Sequence, residues 1–160
     1  MNFTSGIDFL HTLDAMGLLT RPLAVEMAVV CAEHVFGNVP EENQNGCHKA
    51  INAANDWLAA PSKQNRRRAK RAAAATLPGT YVPAAWGASY AARTAAELVF
   101  KYEPYIMASA LEAARLGDDP ISEGKWQARK IIEVLDKNGI DTARMMSDFL
   151  SDFKSLQRSP

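Results

Sequence analysis

Apolar residues recur every three or four positions along most of this chain, the spacing that lines one face of an α-helix, whereas alternating runs of strand type are thin. A first amphipathic stretch runs from about Ser5 to Met16 through Ile7, Leu10, His11 and Asp14, with Gly17 placed to end it. Thr20 reads as an N-cap with Pro22 near the first helical position. The helix it opens reaches Phe36, carries Leu23, Met27, Val30, Cys31 and His34 or Val35 on its apolar face, and stops at Gly37-Asn38. Pro40, Glu41 and Glu42 start a third helix, with acids on the favourable end of the helix dipole. In it Cys47, Ala50, Ile51, Ala54, Trp57 and Leu58 repeat up to Pro61, so Trp57 is expected inside. Ser62 is positioned to cap a fourth helix from Lys63 to about Leu77, basic in its first two turns and alanine-rich afterwards, before the break at Leu77-Pro78-Gly79-Thr80.

Pro83 falls in the first turn of the next pattern, which carries Trp86, Tyr90, Ala91, Thr94, Ala95, Leu98 and Val99. Between Tyr81 and Ala96 the only polar residues are Ser89, Arg93 and Thr94, which marks this as the central, nearly all-buried helix; its Arg93 requires an acid, and Glu97 is the nearest. The aromatics Trp86, Tyr90, Tyr102 and Tyr105, with Trp57 and Trp126, are expected in the core rather than along a groove. Pro104 interrupts the pattern, and a further stretch, Tyr105 to Leu116, ends at Gly117-Asp118-Asp119-Pro120. Ser122 is expected to cap a helix from Glu123 to Lys137 that buries Trp126, Ile131, Val134 and Leu135, closed by Asn138-Gly139. Asp141 then caps a last helix with Ala143, Met146, Phe149, Leu150 and Phe153 inward, leaving Ser155 to Pro160 as a frayed tail. The expected fold is all-α: one compact domain spanning 1–160, a bundle of six to eight helices with short connections. Alanine runs such as Ala72 to Ala75 and Ala91, Ala92, Ala95, Ala96 let such helices approach closely.

At 160 residues a single domain buries roughly 70% of its unfolded surface, enough to fold without a disulfide or a metal. With 48% hydrophobic and 22% charged residues the chain is too apolar for disorder. The start Met1-Asn2-Phe3-Thr4 has neither the charge nor the apolar run of a signal peptide, and no window has the length of a membrane span, so a cytoplasmic protein is expected. Cys31 and Cys47 then read as reduced packing residues.

Charge changes the picture more than composition does. The net charge is zero, yet residues 1–62 carry seven acids against two bases, residues 63–93 seven bases and no acid, and residues 94–160 eleven acids against nine bases. An anionic partner is therefore expected at the middle segment, where Lys63, Arg66, Arg67, Arg68, Lys70 and Arg71 place six cations in nine residues. On a helix Lys63, Arg67, Lys70 and Arg71 share one face, with Arg66 and Arg68 flanking it. Three readings follow: a solvated face neutralised by the acidic first 62 residues, a protein-contact surface, or a nucleic-acid site. Interleaved aromatics and a helix-turn-helix or zinc-finger signature, which would favour the third, are missing.

Glu33, His34, Cys47 and His48 are the one candidate metal or acid/base set, but they lack metal-ligand spacings such as C-x-x-C or H-E-x-x-H. His34 is expected instead as a partly buried residue held by one hydrogen bond. Neither G-x-S-x-G nor a P-loop occurs, and the pairs Glu41-Glu42 and Asp118-Asp119 fall where acids cap backbone amides. The residues imply no catalytic motif and no cofactor.

The stretch Ala28-Val29-Val30-Cys31-Ala32-Glu33-His34-Val35, followed by an acidic loop and Ala50-Ile51-Asn52-Ala53-Ala54-Asn55-Asp56-Trp57-Leu58, resembles the alanine-rich helical immunity proteins of bacterial polymorphic toxin systems. In those a "CAEHVL"-like helix precedes an "AI-x-A-A-x-x-W" helix and two further alanine-rich helices, whose places Arg68 to Ala75 and Ala84 to Ala96 would take here. The match covers roughly residues 25–100; the family's later histidines are missing, since none follows His48, and the part beyond Tyr102 has no counterpart. The resemblance implies a non-enzymatic protein that binds and neutralises a toxin or effector. An inhibitor of a host defence protein carried by a phage or mobile element is of the same physical kind. Pairing of two copies through 81–100 is expected if that helix proves exposed.

Overall fold

A computed structural model describes residues 12–76, 83–96, 120–145 and 147. The fold is all-α; among the described residues five α-helices and one 3-10 turn are accompanied by helical turns at 12–15 and 142–145, and there is no strand. The helices are α1 (Arg21–His34), α2 (Glu41–Ala59), α3 (Lys63–Thr76), α4 (Pro83–Ala96) and α5 (Pro120–Lys137). The patterns expected around Pro104 to Leu116, most of the last helix and the tail from Ser155 lie outside the described residues. No described helix is long and apolar enough to cross a membrane.

Local chemistry sets the ends of these elements. The turn before α1 closes on Gly17 at φ +66, with Leu18 N–H bonded to Leu13 O and Gly17 N–H to Asp14 O, the pair of bonds that finishes a helix on a left-handed residue. Gly139, at φ +75, repeats the arrangement after α5, where Ile140 N–H reaches Leu135 O and Gly139 N–H reaches Asp136 O. Thr20 is extended and its hydroxyl accepts from Leu23 N–H, as expected of the N-cap. α2 begins after Pro40 with Glu41 and Glu42 in its first turn, and it ends before Ala60, which precedes Pro61 and leaves the helical region at φ -145 and ψ 83.

Two boundaries differ from the sequence expectation. α1 stops at His34 rather than Phe36, because the chain tightens into the 3-10 turn Phe36–Asn38, with Asn38 N–H on Val35 O and Val39 N–H on Phe36 O. α5 starts at Pro120, so Ser122 lies inside the helix instead of capping it; proline suits the first position because its missing N–H would have no helical partner there.

The core is made by α1 and α4 with α2 and α3 laid on them. α4 packs against α1, α2 and α3, and buries Ala85, Ala88, Ser89, Ala91, Ala92, Thr94 and Ala95. Among its described side chains Trp86, Tyr90, Arg93 and Ala96 reach solvent, so the central helix is where the sequence placed it while two of its aromatics are only partly buried. Arg93 is exposed, and its guanidinium lies 5.3 Å from the Tyr90 ring centroid; Glu97 lies outside the described residues. α1 is buried on more than the one face expected, with Ala24, Val25, Ala28 and Val29 inside as well as Leu23, Met27 and Cys31. Trp57 is buried, as its spacing required. Small side chains let the helices close in, and backbone groups are then used between them. Ser89 Oγ donates to Ala73 O at 3.1 Å, and Thr76 Oγ1 shares its proton between Ala72 O at 2.7 Å and Gly46 O of α2 at 3.3 Å.

α5 docks on α1. Its Ile131, Val134 and Leu135 are buried, and polar contacts fasten both ends: Glu123 and Trp126 on His34, Lys137 and Asn138 on Glu26.

Candidate functional site

The basic helix α3 is held to the body by a narrow line of small residues, Ala69, Ala73 and Thr76, three and four positions apart. Its remaining surface is available for charge. Lys63, Arg67, Arg68, Lys70 and Arg71 are exposed and Arg66 is half-buried at the edge. The first turn contains no acid, so lysine and arginine sit at the positive end of the helix dipole, a locally unfavourable placement of the kind tolerated at functional sites. The acidic first 62 residues neutralise little of this charge. Of the six cations only Arg68 has an ion-pair partner among the described residues, with its Nη1 3.1 Å from Asp56 Oδ2 of α2, and both side chains are about half exposed.

The turn between α2 and α3 fixes this helix relative to its neighbour. Ser62 Oγ accepts from Asn65 N–H at 3.1 Å, the expected cap. The Asn65 side chain turns back and donates to Asp56 O at 3.1 Å and Ala60 O at 2.9 Å, satisfying carbonyls at the end of α2.

Two shallow depressions follow. One runs along α3 and is lined by Lys63, Gln64, Arg67, Arg68 and Arg71. The other lies between α2 and α3 and brings Lys49, Asn52 and Asp56 against Arg68 and Arg71, with Ala53 and Ala72 between them. The sequence reading missed Lys49. Its spacing of three and seven residues from Asn52 and Asp56 marks one helix face, but its neighbourhood with Arg68 depends on how α2 and α3 pack.

Glu33, His34, Cys47 and His48 do not converge. Glu33 accepts from Asn55 Nδ2 at 3.3 Å. Cys47 is buried in α2, while the adjacent His48 is exposed with its ring against Phe36, centroids 4.2 Å apart. Among the described residues no three His, Cys, Asp or Glu side chains form a group that could hold a metal. Both thiols are free. Burial pushes the Cys31 thiol far above its ordinary range, with the nearby Glu123 carboxylate adding to the shift, and burial also raises Cys47. His34 makes the polar contact expected of it but is exposed rather than partly buried: its Nδ1 lies 2.9 Å from Glu123 Oε2, while its ring stacks on Trp126 at 3.5 Å between centroids and 10° between planes.

A family model matches residues 11–117, two thirds of the 160, and its description is a family of unknown function, DUF6931. The chain belongs to the DUF6931 family. The matched span of this DUF6931 chain contains α1 to α4, and with them the basic helix and the α2–α3 groove; α5 lies beyond it. No curated protein and no solved structure matches the chain.

Proposed function

We propose that this DUF6931 chain is a non-enzymatic protein-binding module, an immunity-like inhibitor that neutralises a toxin or effector protein by covering part of its surface. The supporting observation is the face of α3, where six cations stand on a helix tethered by three small buried residues and one ion pair answers them among the described residues. Uncompensated charge on a packed scaffold suits recognition of an acidic protein surface, through steering and through charge-assisted hydrogen bonds from arginine. The sequence likeness to alanine-rich immunity proteins over roughly residues 25–100 points the same way. Two free, buried thiols suit a reducing compartment, and we place the protein in the cytoplasm on that ground.

The test is parallel capture from the source cell with the wild-type chain and with an Arg67→Glu, Arg71→Glu double variant. A protein retained by the first and lost by the second is expected, and the wild-type chain alone should relieve its toxicity on co-expression. Nucleic acid retained by the wild type, released steeply as salt rises and lost with the double variant would assign the face to DNA or RNA instead.

A further inference from the structure

We infer that the groove between α2 and α3 is an anchor for carboxylate side chains of an acidic protein segment, and that Asp56 is its resident competitor. This rests on the reading of the basic face as a protein-contact surface. Lys49, Arg68 and Arg71 bring three cations from two helices to one depression, whose small residues Ala53 and Ala72 leave room for an entering side chain. Arginine presents a planar fork of donors matched to a carboxylate, and Asn52 adds an amide able to donate beside it.

Asp56 already does there what a partner's carboxylate would do. It engages Arg68 at 3.1 Å and, among the described residues, no acid forms an ion pair with Lys49 or Arg71. The groove is thus partly neutralised by a half-exposed internal carboxylate that contributes little to holding the fold. An incoming acid competes with it for Arg68 while gaining the other two cations. The occupant is protein rather than nucleic acid because neither depression has an aromatic on which a base could stack.

Fluorescence anisotropy on the full chain tests this with labelled poly-L-glutamate as one probe and a short single-stranded DNA of mixed sequence as the other, each at low and physiological salt. Poly-L-glutamate should bind, with Lys49→Glu and Arg71→Glu each weakening it about ten-fold. Asp56→Asn should tighten it about two- to five-fold. Glu41→Gln makes the same change of charge on the same helix outside the groove and should leave it unaltered. Circular dichroism establishes that each variant is folded. Asp56→Asn binding no better than wild type, or no better than Glu41→Gln, overturns the competitor. Binding lost with Arg67→Glu and Arg71→Glu together but indifferent to Lys49→Glu overturns the groove and leaves the basic face as the contact. DNA bound more tightly than poly-L-glutamate, with affinity falling steeply as salt rises, overturns both the groove and the protein-contact reading beneath it.

Discussion

Replacing Ala92 by leucine tests whether the close approach of the helices holds this fold together. Ala92 is fully buried in α4, the helix that packs against α1, α2 and α3. Leucine is nearly as good a helix former as alanine, so the helix itself loses a few tenths of a kcal/mol at most. Three added carbons must therefore displace a neighbouring helix or take a strained rotamer, and overpacking of this kind costs roughly 1–3 kcal/mol. For a chain of this size each kcal/mol lowers the melting temperature by about 2–4 °C, so a fall of roughly 2–12 °C is expected. Ala74→Leu supplies the control, since Ala74 is exposed on α3 and the same change there should alter stability by no more than about 0.5 kcal/mol. Thermal melts followed by far-UV circular dichroism at 222 nm compare the three proteins. An Ala92→Leu variant that melts at or above the wild type, with Ala74→Leu unchanged, would refute the claim that alanine is required at the centre.

Asn65→Ala removes the donor shared by two carbonyls at the end of α2 and should cost about 1–2 kcal/mol in urea unfolding; an unchanged midpoint would show that the side chain does not fix the turn. Gly46→Ala should stabilise by about 0.5–1 kcal/mol in the same assay, because the position is helical and an added methyl carbon meets Thr76 Cα at an ordinary 3.8 Å; destabilisation would mean that α2 and α3 lie closer than described. The raised thiols give stability a defined dependence on pH. The folded chain holds the protons of Cys31 and Cys47 more tightly than the unfolded chain does, so their contribution is intact below an ordinary thiol's value of 9.0 and is lost as pH rises above it. Urea unfolding at about pH 8 and about pH 10 should show the fall, and Cys31→Ala should reduce it; an identical fall in that variant would place its origin elsewhere.

Most of the fold was legible because helix ends are local. Gly17, Thr20, Ser62, Gly139 and Asp141 each perform the end-capping their neighbourhood foretold, Asp141 by accepting from Arg144 N–H at 2.9 Å. Burial was less legible, because periodicity reports one apolar face and α1 is covered on more than one side. Trp86 and Tyr90 read as core and are half-exposed, since only their positions relative to the other helices decide the matter. The cations of α3 could be found because they are contiguous. Lys49 could not, nor could the meeting of His34 with Glu123 and Trp126, which joins residues about ninety positions apart and depends on how α5 lies on α1.

The tether of α3 has a consequence for how such a protein could change its target. Ala69, Ala73 and Thr76 commit that helix to the interior and Asn65 and Arg68 fasten it to α2, while Lys63, Arg67, Lys70, Arg71 and Ala74 stay exposed. Charge, length and shape there can be rewritten while the buried line keeps the helix in place. Lineages that share this body could then diverge in what they grip without first relearning how to fold.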